Sequence, residues 1–402
     1  MLISYEFYIY TMASVIKRIN DFNAGAPANL RALKWKALKE SPFRFYRGTC
    51  HLFAEDFVKL YKYKPKVKSW ICGDLHLENF GSFKGENRLV YFDLNDFDEA
   101  ILAGPEPEIT RFLTSIIIAA DQMKVAAIVL HKTLHDVMAA YVSTLIDGKA
   151  LMLEEAVAHG EFKKYFEHLN TFDRQSFIAK KTYKHKGALL LQADGEHLLK
   201  LDDTCKAKVY EALSPLLEKG FLEHLVFEDA AFRIAGTGSL GQDRYCVLCY
   251  SRKKGKRYLI DVKEARESCY TDLIKIKQPR FRNIAERINY AGYLMQFNSP
   301  AFKATVQINN AWYVVKELQF EADCMAIETF GKDFGELSDV AVEMAVLMAY
   351  AQIRSSGHLG ASNADDLKRF AGKTQWQKDI IELSGGLAKR NNKYYKEFVK
   401  AE

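Results

Sequence analysis

Between Trp70 and Phe83 the chain reads WICGDLHLENFGSF, and from Phe92 it reads FDLNDFDE. Phosphoryl transfer asks three things of such a stretch. A carboxylate must accept the proton of the attacking group, an amide oxygen must hold Mg²⁺, and a second carboxylate must bridge the metal to the phosphates. Asp74 and Asn79, five residues apart on a glycine-flanked loop, meet the first two needs. An Asp at the end of the next strand meets the third, and both Asp93 and Asp96 are placed for it. His76 joins Asp74 as a catalytic candidate, either as a metal ligand or, being without a second His, as a hydrogen-bonding scaffold for the loop. Asp93, Asp96, Asp98 and Glu99 repel one another, and a divalent cation is the natural offset. The EF-hand spacing is not completed, and plain turn hydrogen bonds are the alternative for the Asp–His pair.

A second stretch, AGTGSLG, sets Gly236, Gly238 and Gly241 in G-x-G-x-x-G spacing with Ser239 at its tip. In a dinucleotide-binding fold a helix must follow at once. Here the pattern predicts a strand, a basic turn at Lys253–Lys256 and a second strand ending at Lys263. That order suits a loop whose backbone N–H groups lie over phosphates, with Lys263 pairing to them. A glycine-rich hairpin with one solvent-facing lysine fits the same letters. The carboxylate holding Lys263 is expected on the following helix, with Glu286 first and Glu264 and Glu267 behind it.

These candidates need a scaffold, and the chain is long enough to supply one. It has 402 residues, 49% hydrophobic and 27% charged, which favours two or three lobes around a proper core. A net charge of +6 suits phosphate-bearing small molecules and falls short of the basic face of a nucleic-acid binder. Seven scattered cysteines point to reduced thiols in a cytoplasm. CVLC, Cys246 to Cys249, lacks the second pair a zinc site needs and reads as a strand. The N-terminus lacks the basic start and cleavage site of a secretory signal. The most apolar stretch, from Ile109 to Leu130, is broken by Arg111, Asp121, Gln122 and Lys124, so it predicts a core helix and no membrane span.

The expected division is an N-terminal helical segment over 1–65, a catalytic-loop and helical region over 66–225, a β-rich region over 226–320, and closing helices over 321–402. Within it, 108–225 is predicted helical, interrupted by the polar, basic stretch Thr171–His197, whose Lys180 to Lys186 read as a solvated loop. Helices are predicted at Phe281–Phe297 and Ser338–Ser356, with WYVVKELQFEAD as the last strand and hinge. Arg47 and Gly48, after SPFRFY, carry no legible role.

CGDLHLENF resembles the H-G-D-x-H-x-x-N loop of the aminoglycoside phosphotransferase and choline kinase families, with Cys72 where many carry His. The segment from Asp96 through Ala100, Gly104, Pro105 and Glu108 resembles their metal-binding Asp, Gly-Pro turn and acidic helix start. Over nearly its full length the chain is similar to an uncharacterised bacterial domain-of-unknown-function family with kinase-like motifs. The resemblance implies Asp74 as catalytic base, Asn79 as metal ligand, and ATP with Mg²⁺ as cofactors. For the second metal Asp, the Gly-Pro pattern favours Asp96 and the end of the hydrophobic strand favours Asp93. It also implies a protein-kinase-like two-lobed α+β fold. In kinases the glycine loop precedes the catalytic loop, whereas here it follows about 160 residues later, so the fold is expected to be circularly permuted. The expectation is a phosphotransferase acting on a small-molecule acceptor, with no nucleic-acid or membrane partner. AMP transfer on the same scaffold and a nucleotide-binding pseudokinase are its rivals.

Overall fold

The computed structural model describes residues 14–218, 224–318, 320, 325–327 and 333–401. Part of the predicted N-terminal helix (1–13) and of the predicted hinge (319 and 321–323) lies outside them. The described chain opens with helices α1 (Val15–Phe22), α2 (Ala28–Leu38), α3 (Pro42–Gly48) and α4 (Cys50–Leu60). Strands β1 (Ser69–Ile71), β2 (Phe80–Lys84), β3 (Val90–Leu94) and β4 (Ile101–Ala103) follow, then α5 (Glu106–Gln122) and α6 (Ala127–Asp147). Next come β5 (Leu153–Glu154), α7 (Gly160–Thr171), α8 (Arg174–Lys180), β6 (Thr182–His185), β7 (Ala188–Leu191), β8 (Leu198–Lys200) and α9 (Asp203–Glu218). The β-rich region holds β9 (Leu225–Arg233), β10 (Arg244–Ser251), β11 (Lys256–Glu264), α10 (Ile284–Met295), β12 (Ala304–Ile308) and β13 (Ala311–Glu317). The chain closes with α11 (Phe334–Ser355), α12 (Ala364–Ala371) and α13 (Gln375–Lys400).

The local chemistry explains where several of these begin. Ser41 accepts the Arg44 N–H and Pro42 opens α3; Asn283 caps α10 through the Glu286 N–H; Asp333 caps α11. Helix α5 follows Pro105 with Glu106 and Glu108 in its first turn, where the helix dipole favours acids. It is buried on nearly every side, against α6, α11 and α13. Its Ile109, Phe112, Leu113 and Ile116 are fully buried in the largest core, each such side chain contributing ~1.5–3 kcal/mol. Among the described residues no helix is long and apolar enough to cross a membrane.

The fold is mixed α+β, with a six-stranded antiparallel sheet ordered β12-β13-β11-β10-β9-β8. Alternation gives its strands two faces. Val247, Cys249, Ile260 and Val262 pack with Val209 and Leu213 of α9. Cys246, Leu248 and Leu259 pack with Ile178 of α8 and Leu191 of β7. The predicted interruption of the helical pattern is present, but it is more than a solvated loop. Residues 182–200 form a hairpin and an edge strand that joins the sheet beside β9. The reason is packing: Leu191 and Leu198 reach an apolar sheet face that the local sequence does not reveal.

Candidate active site

The acidic loop is built on small sheets. Strands β1 and β4 pair, as do β2 and β3, so that the β1–β2 and β3–β4 connections lie side by side. Gly73, at φ +80°, begins the first connection, and a Cβ there would stand 2.4 Å from the Glu99 carbonyl oxygen, so only glycine fits. The Cys72 N–H donates to Glu108 Oε1 at 2.6 Å, and Gln352 Nε2 donates to Glu108 Oε2 at 3.0 Å. Glu108, the acid of the Gly-Pro pattern, thus braces the loop from α5. Leu77 N–H donates to Ser115 Oγ, and Asn95 N–H donates to the Asn79 carbonyl, tying the two connections together.

Asp74 accepts a hydrogen bond from Arg111 Nε at 2.5 Å. Arg111 is fully buried, lies over the Tyr46 ring at 4.2 Å and donates to the Tyr46 carbonyl. Burial raises the Asp74 carboxyl above the ordinary aspartate range, although Arg111 pulls it down. Asn79 turns its amide nitrogen to the Asp74 carbonyl at 2.8 Å. His76 is buried edge-on to Phe43, its Nδ1 has no partner among the described residues, and burial with Arg47 nearby keeps it neutral.

The glycine loop joins β9 to β10 and lies across this floor. Gly236 and Gly241 adopt φ +73° and +102°, and the Leu240 N–H closes a turn onto the Gly236 carbonyl. Gly236, Gly238 and Ser239 line an inner chamber of about 80 Å³ together with Asp74 and His76. Gly241 instead packs against Ala26 just before α2. An adjoining chamber of about 440 Å³ is lined by Lys263, Lys316, Arg233, Arg244 and Leu259 of the sheet. The two share Arg47, Asn79, Asp96, Asp98 and Gly236 as walls.

Across this space Lys263 reaches the acidic loop. Its Nζ lies 3.1 Å from Asp96 Oδ2 and 2.5 Å from Asp98 Oδ2, bridging residues remote in sequence. Burial would raise Asp96, but the ammonium groups of Lys263 and Lys316 outweigh it and hold that carboxyl well below the usual range. Burial and the charge of Asp96 push Asp98 the other way.

Two predicted roles are corrected. Asp93 turns away from the cleft: its carboxylate takes Arg354 Nη2 at 2.7 Å and the Phe297 N–H at 3.1 Å, while Asp96 stands beyond the strand end in the open loop. Glu286 lies at the N-terminus of α10, bound to Arg282 on the surface, so the carboxylates holding Lys263 come from the acidic loop instead. Other participants were missed. Arg47, paired with Glu78, walls both chambers. Lys181, from the predicted solvated loop, lines the larger one with Phe177 before it and Leu198 after it. Asp261, held by Arg233 at 3.0 Å and Arg244 at 2.8 Å, shares the face of Lys263, which its position two residues earlier on a strand could have signalled.

No trio of His, Cys, Asp or Glu that could hold a metal ion gathers among the described residues. Asp96 and Asp98 do hold a positive charge between them in Lys263, the electrostatic demand that a divalent cation would also meet. Mg²⁺ is commonly bound by one or two carboxylates with substrate phosphates completing the shell, so Asn79 and Asp96 fit that mode.

No curated protein and no solved structure matches the chain. Residues 27–401 match the model of a family described as an uncharacterized protein conserved in bacteria, DUF2252. That match takes in the acidic loop, the glycine loop and the closing helices, and the chain belongs to this bacterial family.

Proposed function

We propose that the protein is an ATP- and Mg²⁺-dependent phosphotransferase acting on a small-molecule hydroxyl or amine, with a circularly permuted kinase-like arrangement. The observation that carries this reading is the meeting of Lys263 with Asp96 and Asp98 in a cleft whose inner chamber is walled by Asp74 and the glycine loop. The order of elements supports it as well: strand, glycine loop, strand, turn and strand with lysine, then a helix, two further strands and the helix α11.

In this reading Leu259, Cys246 and Leu318 offer an apolar wall for a base, and Lys263, Lys316 and Arg244 offer charge for phosphates. Asn79 and Asp96 would hold Mg²⁺, which supplies charge neutralisation on the phosphates. Asp74 orients the acceptor and takes its proton; its raised carboxyl makes it a better proton acceptor than an ordinary aspartate. Most of the rate would come from positioning and fixed charge.

One observation favours a second reading, a nucleotide-binding regulatory protein. Asp74 is bound by the buried Arg111, which engages the carboxylate that a base must keep free. Both are tested by following ADP release from Mg-ATP with pooled hydroxyl and amine acceptors. Asp74→Asn is expected to lower turnover by ~10²–10⁴ while nucleotide binding persists. Unchanged turnover removes Asp74 as base, and stabilisation by Mg-ATP without any turnover in the unaltered protein selects the regulatory reading.

A further inference from the structure

Helix α2 buries one narrow stripe, Leu30, Lys34 and Leu38, spaced by four residues. A lysine in the middle of an otherwise apolar stripe is unusual, because an ammonium group is costly to take from water without partners. Lys34 is 2% exposed, and its Nζ donates to the Gly238 carbonyl of the glycine loop at 3.0 Å. Among the described residues that is its one hydrogen bond, although an ammonium carries three donors. It lines the inner chamber with Asp74, and the charges around it are Asp74 and Glu99, which attract it, and Arg266, which repels it. Burial and Arg266 push it down to about 8, so it remains mostly charged at neutral pH.

The rest of the N-terminal helical segment is fitted to the same loop. Gly48 at the end of α3 lies against Thr237, where a Cβ would come within 3.0 Å of its Cγ2. Ala26, before α2, touches Gly241. The N-terminal helical segment thus packs against the glycine loop at Thr237 and Gly241, and Lys34 lines the inner chamber beside it.

We propose that Lys34 binds the terminal phosphoryl group of the nucleotide, holding it in the chamber between Asp74 and the glycine loop. This rests on the phosphotransferase reading and adds a cation from outside the β-rich region. The role demands a charge that distinguishes a triphosphate from a diphosphate, and a buried ammonium beside the acceptor carboxylate is placed to do so.

The test compares Lys34→Met and Lys34→Arg with the unaltered full chain, measuring Mg-ATP and Mg-ADP affinity by calorimetry, turnover, and melting temperature. Lys34→Met is expected to weaken Mg-ATP about tenfold, to leave Mg-ADP within about twofold, and to lower kcat about a hundredfold. Lys34→Arg is expected to recover part of the preference for Mg-ATP. A merely structural lysine would weaken both nucleotides equally, so an unchanged affinity ratio in a Lys34→Met protein that still melts cooperatively overturns the proposal while leaving the phosphotransferase reading intact. If Lys34→Met does not fold, Lys34→Arg decides: an Mg-ATP to Mg-ADP preference and a kcat both identical to those of the unaltered chain also overturn it. An unaltered chain that binds no Mg-ATP overturns both.

Discussion

The floor and the roof of the cleft are built on different terms. In the floor, nearly every group is pinned from below: Cys72 N–H by Glu108, Asp74 by Arg111, Leu77 N–H by Ser115 and Asp93 by Arg354. The roof is a thin turn in which Gly236 and Gly238 are exposed, Thr237 is buried, and Lys34 and Arg266 each hold one carbonyl. The contrast follows from charge. Asp74, Asp96, Asp98 and Glu99 stand close enough to raise or lower one another's protonation, and only a braced backbone keeps them there.

Breaking the brace is expected to have the largest effect. Arg111→Met leaves the Asp74 carboxylate without its buried partner and should destabilise the protein by ~3–5 kcal/mol in urea unfolding. A loss under ~1 kcal/mol would mean that the floor does not depend on this pair.

A comparable but pH-dependent effect is expected at the edge of the floor. Glu106, the first residue of α5, is buried with Oε2 unpartnered among the described residues, and burial pushes its carboxyl up to about 7. The native state therefore keeps a proton that the unfolded chain releases at the ordinary glutamate value near 4.5. Native stability should fall as pH rises between those values and level off above them, by up to ~3 kcal/mol. Glu106→Gln should remove that slope, gaining over the unaltered chain at pH 8 and not at pH 4.5. Parallel pH–stability curves for the two proteins would contradict the unpaired burial.

Matched glycines sharpen the comparison most directly. Gly73→Ala meets both a positive φ and the Glu99 backbone, and should cost ~2–4 kcal/mol. Gly238→Ala in the roof has no positive φ, and its nearest neighbour would be the Arg47 carbonyl at 3.5 Å, so stability should change by less than ~0.5 kcal/mol. Equal costs would show that roof and floor are equally rigid.

Much of this was legible in the letters. Alternation along YCVLCY and YLIDVK announced β10 and β11, and the amphipathic pattern of Ser338–Ser356 announced all but the first turn of α11, because these are local periodicities. The glycines and Lys263 could be chosen for the same reason: residue type and strand position suffice. The choice between Asp93 and Asp96 could not be made that way. Both lie within three residues, and what separates them is Arg354, which claims one and leaves the other facing Lys263.

Lys34, Arg47 and the 182–200 strands escaped for one further reason. A lysine in a helix, an arginine after an aromatic run and a basic loop are ordinary surface features by composition. Here Lys34 is buried against the Gly238 carbonyl, Arg47 pairs with Glu78 in the cleft wall, and Leu191 and Leu198 join an apolar sheet face. By itself the sequence determined the strongly periodic helices and strands, and which residue types could bind phosphate or move a proton, since those depend on neighbours a few positions apart. Only the tertiary structure decided which carboxylates meet a lysine and which are consumed by structural arginines, because charge pairing acts over ångströms of space and is blind to distance along the chain.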